Sequence, residues 1–591
     1  MSGSGGIIMG ACRRLLVTAV LLIAPALLWT TILAPAIADA APTRPQRIET
    51  GYASTSPVTS VTATVVHVHI PLPASTPPHP AACDWLSYLR FRSATGPVRS
   101  ADADRIVVAQ PGIFEGAGAF ESVARNTVAA AARAGSSVEF WALDRRSNCM
   151  EDHTGIDAAL RTGSFDTAAD YYVSGTPIGG RRFAGFPGFP ANGPQYAWLR
   201  HQGLEQTLRD QYDLMAAELP DQRMRKQKMV CGGHSLGGFI TGFFAEWDFD
   251  GNPATTADAG FNQCAGYVAL DTGITSDLTS LTGGLALPRG MYIPEIPPTV
   301  ASVLDTVTGA VDTALPVLAL PAVINPETMN LLALTGLAAR LAPNGVDDVI
   351  RRLPRNLNVD MTLRTLLAKD YPMFLTGTPD VRSLHATNAA VLGAILDDNS
   401  QPFGFLQASV GFIGSGPVVA KSFPLPTSLA KRIPLSLTAF GDATKYAPNG
   451  FAPGIVYRWR DYDQIDPSVY RYTTPANEVT SIHELARGLS EPPLDFTEWY
   501  FPTALPTELS NRNSPTASRH RFYRDAAARA PMITFIAAGG VQPTPTADPR
   551  GIVVTLPGYN HIDVLTAAAR QNNGRPEQVS TRLAAFLVGL G

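Results

Sequence analysis

The chain has 591 residues, 45% of them hydrophobic and 16% charged, against about 25% charged in an average globular protein, which excludes a disordered tail and a coiled coil. Lys plus Arg number 46 and Asp plus Glu 50, for a formal net charge of −4, so the electrostatic footprint of a nucleic-acid binder is missing. Gly (51) and Pro (49) are abundant, which predicts many turns and long structured loops.

Arg13 and Arg14 precede an apolar stretch from Leu15 to Ala38, and Ala38-Asp39-Ala40 offers small residues at both positions a signal peptidase reads. Residues 1–40 are expected to be a secretory signal cleaved after Ala40, which makes the protein secreted or part of the cell envelope. The stretch is also long enough to span a bilayer uncleaved, although Pro25 and Pro35 make a poor membrane helix. Residues 41–103 read as an N-terminal extension with the first strands. Within it Thr62–Ile70 alternates as a strand, placing His67 and His69 on one face. No third ligand accompanies them, so a solvated strand face is expected there.

Beyond Asp104 a strand-then-helix rhythm begins, which argues for an α/β fold: a mostly parallel sheet with helices on both faces. Ile106–Ala109, Val138–Leu143, Met229–Cys231 and Gly266–Leu270 read as strands. An Ala-rich helix ends near Gly135, and another runs from about Gln195 to Leu219, where Pro220 stops it. Over residues 272–530 the rhythm disappears, and it resumes with Met532–Ile536 and Ile552–Leu556. The core is thus expected in two parts, 104–271 and 531–591, split by a large, mainly helical cap insertion. Asn325-Pro326-Glu327 starts one of its helices, which stops at Pro343. The insertion has no run of 18 apolar residues, so no membrane span is expected in the mature chain. It suits either a lid over a lipid-like substrate or an ordinary packed cap.

Four cysteines follow the signal: Cys83, Cys149, Cys231 and Cys264. An even number in an exported chain permits two disulfides, with Cys83–Cys149 the preferred bridge. Cys231, inside an apolar strand, reads equally well as a buried thiol acting as a small hydrophobe. None has metal-site spacing.

The chemistry centres on Gly233-His234-Ser235-Leu236-Gly237, a G-x-S-x-G pentapeptide that an apolar strand precedes and a helix follows. A serine on so sharp a turn needs small neighbours, and the helix N-terminus aims free N–H groups at its hydroxyl. His234, within the elbow, is expected to pack. Here the chain resembles the α/β-hydrolase superfamily, over about Asp104 to Asp271 and Pro531 to Gly591. Ala142–Arg146 is similar to the loop after that family's fourth strand, and Gln110–Ile113 stands where a His-Gly segment is usual. The resemblance implies an oxyanion hole from the backbone N–H groups of Leu236 and Ile113.

A serine hydroxyl needs a base. His561 follows the last strand, leaves 30 residues for a closing helix and comes after the serine in chain order, as the family requires. The family's usual place for the acid, after the seventh strand, is Ala537–Gln542, which has no carboxylate. Asp271, ending the previous strand as in some lipases of this fold, is favoured over Asp548; Asp442 is a third candidate, and a turn-capping role competes for Asp271. Asp248, Asp250 and Asn252, with Asp258 beyond, space oxygen ligands as calcium loops do, but Pro253 stands where an EF-hand needs glycine, and an Asx-rich turn is the default.

The sequence thus predicts an exported serine hydrolase that cleaves small-molecule or lipid esters through an acyl-enzyme on Ser235, with His561 as base and no organic cofactor. Acyl transfer or peptide cleavage on the same residues, and a non-catalytic exported binding protein, are the alternatives.

Overall fold

The computed structural model describes residues 45–188, 193–277, 315–319, 324–424, 444–510, 514–541 and 551–590. The expected signal segment 1–40 lies outside them. All described residues belong to one compact unit, residues 45–591.

Among the described residues nine strands form the central sheet. In chain order they are β1 (Arg47–Gly51), β2 (Val61–His69), β3 (Trp85–Ser93), β4 (Arg105–Gln110), β5 (Val138–Leu143), β6 (Met229–His234) and β7 (Gly266–Leu270). The insertion then supplies four short strands, β8 (Gly411–Gly414), β9 (Val418–Ala420), β10 (Tyr446–Pro448) and β11 (Arg458–Asp461), before β12 (Met532–Ala537) and β13 (Ile552–Leu556) close the large sheet. Its spatial order is β1-β2-β3-β5-β4-β6-β7-β12-β13. Pairing is antiparallel from β1 to β5 and parallel from there to β13. This is the expected α/β architecture, a mostly parallel sheet with helices on both faces.

Six helices interleave with the first seven strands: α1 (Glu121–Arg133), α2 (Thr154–Thr162), α3 (Phe165–Tyr172), α4 (Leu204–Glu218), α5 (Gln222–Lys228) and α6 (Leu236–Glu246). The connection from β4 through α1 to β5 steps one way across the sheet, and that from β6 through α6 to β7 steps the other way. Right-handed crossovers therefore put α1 and α6 on opposite faces. Accordingly, α1 packs against the closing helix Gln578–Gly589, and α6 against α4. Because the steps diverge between β4 and β6, a crevice opens at the carboxyl ends of those two strands, the usual binding place in an open α/β sheet.

The strands read from periodicity all form, with ends moved by a residue at most except in β6, which runs three residues further, to His234. β1 and β3 carry no such signal. In β3 the charges of Arg90 and Arg92 break the apolar pattern, yet Arg90 is buried: its Nε donates to Glu139 Oε2 at 3.0 Å and its Nη1 to Glu49 Oε1 at 3.0 Å. The expected helix from Gln195 to Leu219 is two elements, a 3-10 helix Pro194–His201 and then α4. They part at Gly203, where a side chain would overlap the Glu508 carboxylate that accepts the first N–H of α4, from Leu204, at 2.7 Å.

The described part of the insertion is mainly helical, with two small antiparallel pairs, β8 with β11 and β9 with β10. Helix Pro326–Leu341 starts in a capping box: Asn325 accepts from the Thr328 N–H, and the Thr328 hydroxyl accepts from the Asn325 N–H. Being buried on nearly every side, it needs no polar face and packs between helices Asn388–Leu396 and Ile482–Gly488. One apolar core runs continuously from the sheet into these helices. Among the described residues no helix is long and apolar enough to cross a membrane.

Two disulfides close, Cys83–Cys149 and Cys231–Cys264. The free-thiol reading of Cys231 is thus corrected: β6 and β7 are neighbours, which brings Cys264, two residues before β7, within a Cα separation of 5.7 Å. His67 and His69 do not act together: His67 Nδ1 meets Ser87 Oγ at 2.7 Å, and the His69 ring packs at a tilt against Trp85.

Candidate functional site

Ser235 follows β6 directly and precedes α6. Its backbone has φ 53° and ψ −120°, a conformation that a side chain disfavours and that persists only where the surroundings impose it. Here the neighbours do so. The Ser235 N–H donates to the Leu270 carbonyl at 3.2 Å, and its own carbonyl accepts from Thr272 Oγ1 at 2.6 Å. A Cβ at Gly233 would lie 2.6 Å from the Gln110 carbonyl, and one at Gly237 would overlap that same oxygen. The small residues of the pentapeptide thus let the start of α6 close onto the end of β4.

Asp271 follows β7 directly, next to the register partner of His234. It is fully buried and has φ 44°. Its Oδ1 accepts from the Ala537 N–H at 3.0 Å; its Oδ2 accepts from the Val541 N–H at 3.3 Å and lies 2.6 Å from His561 Nδ1. The loop after β12 therefore receives the carboxylate that it does not itself supply. Asp548 and Asp442 lie outside the described residues.

His561 is 1% exposed. Besides Asp271 it faces His234, at a ring-centroid distance of 4.3 Å, and its carbonyl lies 3.0 Å from His234 Nε2. With Nδ1 tied to Asp271, Nε2 is the ring nitrogen left to serve as base. Ser235 Oγ makes no hydrogen bond to it among the described residues.

Glu115, which carries no sequence signal, completes the centre. Its carboxylate accepts the Gly112 N–H at 2.7 Å and lies 2.8 Å from His234 Nδ1. Burial by itself would raise the Glu115 carboxyl, but the facing His234 holds it below its usual range. For His234 burial works against charge, yet Glu115 raises it above the usual imidazole value. Burial, and next the charge of His234, hold His561 below that value against the pull of Asp271. His234 is thus not mere packing: it joins the loop after β4 to the backbone of His561.

The N–H of Leu236 is the first of α6, so no carbonyl within the helix can accept it. That of Ile113 is oriented by Arg145. The buried Arg145 guanidinium donates from Nη2 to the carbonyls of Gly112 and, at 3.0 Å, Glu115, and from Nη1 to that of Pro111 at 3.0 Å. In a trans peptide the carbonyl and the following N–H point to opposite sides. Drawing the Gly112 oxygen toward Arg145 therefore turns the Ile113 N–H away from it. Arg145 is held in turn by Glu498 Oε2 at 2.6 Å from Nε.

A narrow apolar cavity adjoins this centre under the insertion, lined among others by Ile113, Phe405, Leu485, Leu489, Phe496 and Ile562. Ile113 and Ile562 flank the loop and the histidine just described.

At the expected calcium loop, carboxylate oxygens of Asp248, Asp250 and Asp258 lie within 4.8 Å of one another. Asn252 is engaged otherwise: its Oδ1 accepts from the Ala254 N–H at 3.2 Å, while its N–H donates to Asp250 Oδ1 at 2.7 Å. The segment is built as an Asx turn.

No protein-family model and no curated protein matches the sequence. Among solved structures, the chain is similar to the peroxisomal alpha-beta-hydrolase Lpx1 of Saccharomyces cerevisiae, with 11% identity over 88% of this chain and 83% of that one and a TM-score of 0.26. It is similar to the juvenile hormone epoxide hydrolase of the silkworm Bombyx mori, with 9% identity over 89% and 78% of the two chains and a TM-score of 0.29. For the glucuronoyl esterase of Solibacter usitatus the identity is 12% over 40% and 54%, with a TM-score of 0.17.

Proposed function

We propose that this α/β-hydrolase-fold protein is an exported serine hydrolase that cleaves carboxylic esters with an apolar acyl group. The observation that carries this reading is the 2.6 Å contact of His561 Nδ1 with Asp271 Oδ2 beside a serine held at φ 53° between strand and helix. In the reaction, Ser235 Oγ attacks the ester carbonyl while His561 Nε2 takes its proton. The carbonyl oxygen gains negative charge and is met by the N–H groups of Leu236 and Ile113. His561 then gives the proton to the leaving alcohol, and a water molecule, activated the same way, releases the acid and restores the serine. Asp271 fixes the ring tautomer and stabilises the imidazolium.

The apolar cavity beside Ile113 and Ile562 supports the choice of acyl group, since hydrocarbon placed there leaves water. The two disulfides support export, because such bonds persist in oxidising compartments. Purified full chain should hydrolyse p-nitrophenyl esters and react with a fluorophosphonate probe, and Ser235→Ala should lose both by at least 10³-fold. Unchanged turnover in the variant refutes the assignment. Absence of both turnover and labelling in the wild type leaves the binding-protein alternative.

A further inference from the structure

Apart from this centre, Glu151, His153 and Asp495 each offer one ligand atom, all within 4.8 Å of one another. Glu151 and His153 follow the 3-10 turn after β5, and Asp495 comes from the insertion. His153 Nε2 lies 3.3 Å from Glu151 Oε2 and 3.4 Å from Asp495 Oδ2. A single ring N–H cannot point at both oxygens. Asp495 Oδ2 is buried and makes no well-aligned hydrogen bond, its ion-pair contact with His153 being 3.4 Å long, and the residue is only 5% exposed. Burying a carboxylate oxygen with so loose a contact is costly.

We propose that these three residues bind a zinc ion. With metal–ligand bonds of about 2.1 Å, neighbouring ligand atoms of a tetrahedron are about 3.4 Å apart, which agrees with both contacts of His153. One imidazole with two carboxylates suits Zn²⁺, whereas Ca²⁺ takes oxygen ligands alone. His153 retains 21% side-chain exposure, and water would take the fourth position. The other Glu151 oxygen, Oε1, accepts the Trp499 N–H at 2.8 Å and so fixes the orientation of that carboxylate.

The place of this site in the fold defines its role. Asp495 opens the segment that lies along the loop after β4: its carbonyl accepts the Gly118 N–H at 3.0 Å, the Phe496 carbonyl accepts that of Gly116 at 2.9 Å, and the Glu498 N–H donates to Phe114 at 2.9 Å. An ion joining Asp495 to Glu151 and His153 fastens the insertion to the sheet domain beside Ile113. The site does not depend on the chemistry of Ser235.

The test is calorimetric titration of untagged full chain, freed of metal by EDTA, with ZnCl₂. One equivalent should bind at micromolar concentration or below and raise the melting temperature, and Ser235→Ala should bind equally well. His153→Gln and Asp495→Asn should each weaken binding at least tenfold, whereas Asp258→Asn, in the other acidic cluster, should not. Absence of stoichiometric zinc binding, or binding unaltered in both site variants, overturns the proposal and leaves a protonated His153 between two carboxylates. Should one variant fail to fold by circular dichroism, the other decides.

Discussion

Gly540 lies against the Asp271 carboxylate so closely that a single methyl group at position 540 would overlap its oxygens. The loop after β12 is thus shaped around an acid that arrives from β7. Gly540→Ala should push the carboxylate off His561, lower kcat at least tenfold and destabilise the fold by about 1–3 kcal/mol, as overpacking does. Turnover of p-nitrophenyl esters with circular dichroism as the folding control reads both; wild-type kcat would show that the carboxylate moves aside at no cost.

Arg145 should act on kcat through the Ile113 peptide rather than through substrate binding. Arg145→Met removes the donors to Pro111, Gly112 and Glu115, freeing that peptide to rotate. Loss of one well-aimed oxyanion donor costs about 10²–10³ in kcat, so a fall of that order with KM little changed is expected. A change in KM alone contradicts the argument.

The pH profile follows from the two histidines. The base works only when neutral, and His561 is held below the usual imidazole value of about 6.5. The acid limb of kcat/KM should therefore have its midpoint below that value. In His234→Gln the neighbouring positive charge is gone, protonated His561 becomes easier to form, and the midpoint should move to higher pH. A midpoint that stays or falls rules out the coupling of the rings.

The Cys231–Cys264 bridge closes a loop with a sequence separation of 33. A loop of that length restricts the unfolded chain by about 4 kcal/mol in the chain-entropy description. The Cys231→Ala, Cys264→Ala double variant should lose stability of that order in urea unfolding, with the midpoint lowered and the slope raised as the unfolded chain expands. An unchanged midpoint would mean that the bridge is not formed in solution.

Local rules made much of this protein readable in advance. Apolar runs of three to six residues marked β4, β5, β6, β7, β12 and β13; all but the exposed edge strand β13 are buried on both faces and need hydrocarbon throughout. Ser235 stood out because a strand-to-helix turn admits only small neighbours, and that demand is written in adjacent residues. Asn325 and Pro326 announced a helix for the same reason: a cap is a contact between residues three apart.

Tertiary structure alone decided the rest. Glu115 is 119 or more residues from the groups it meets in His234 and beyond, and Arg145 looks like any surface charge until the carbonyls of residues 111–115 are seen to converge on it. Arg90 hid β3 in the same way, since a buried charge is tolerated only by partners that lie on other strands. Asp271 and His561 are 290 residues apart, and no local pattern ranks one distant aspartate above another. Periodicity and turn chemistry act over a few residues, whereas the partner of a buried charge is chosen by which strands become neighbours.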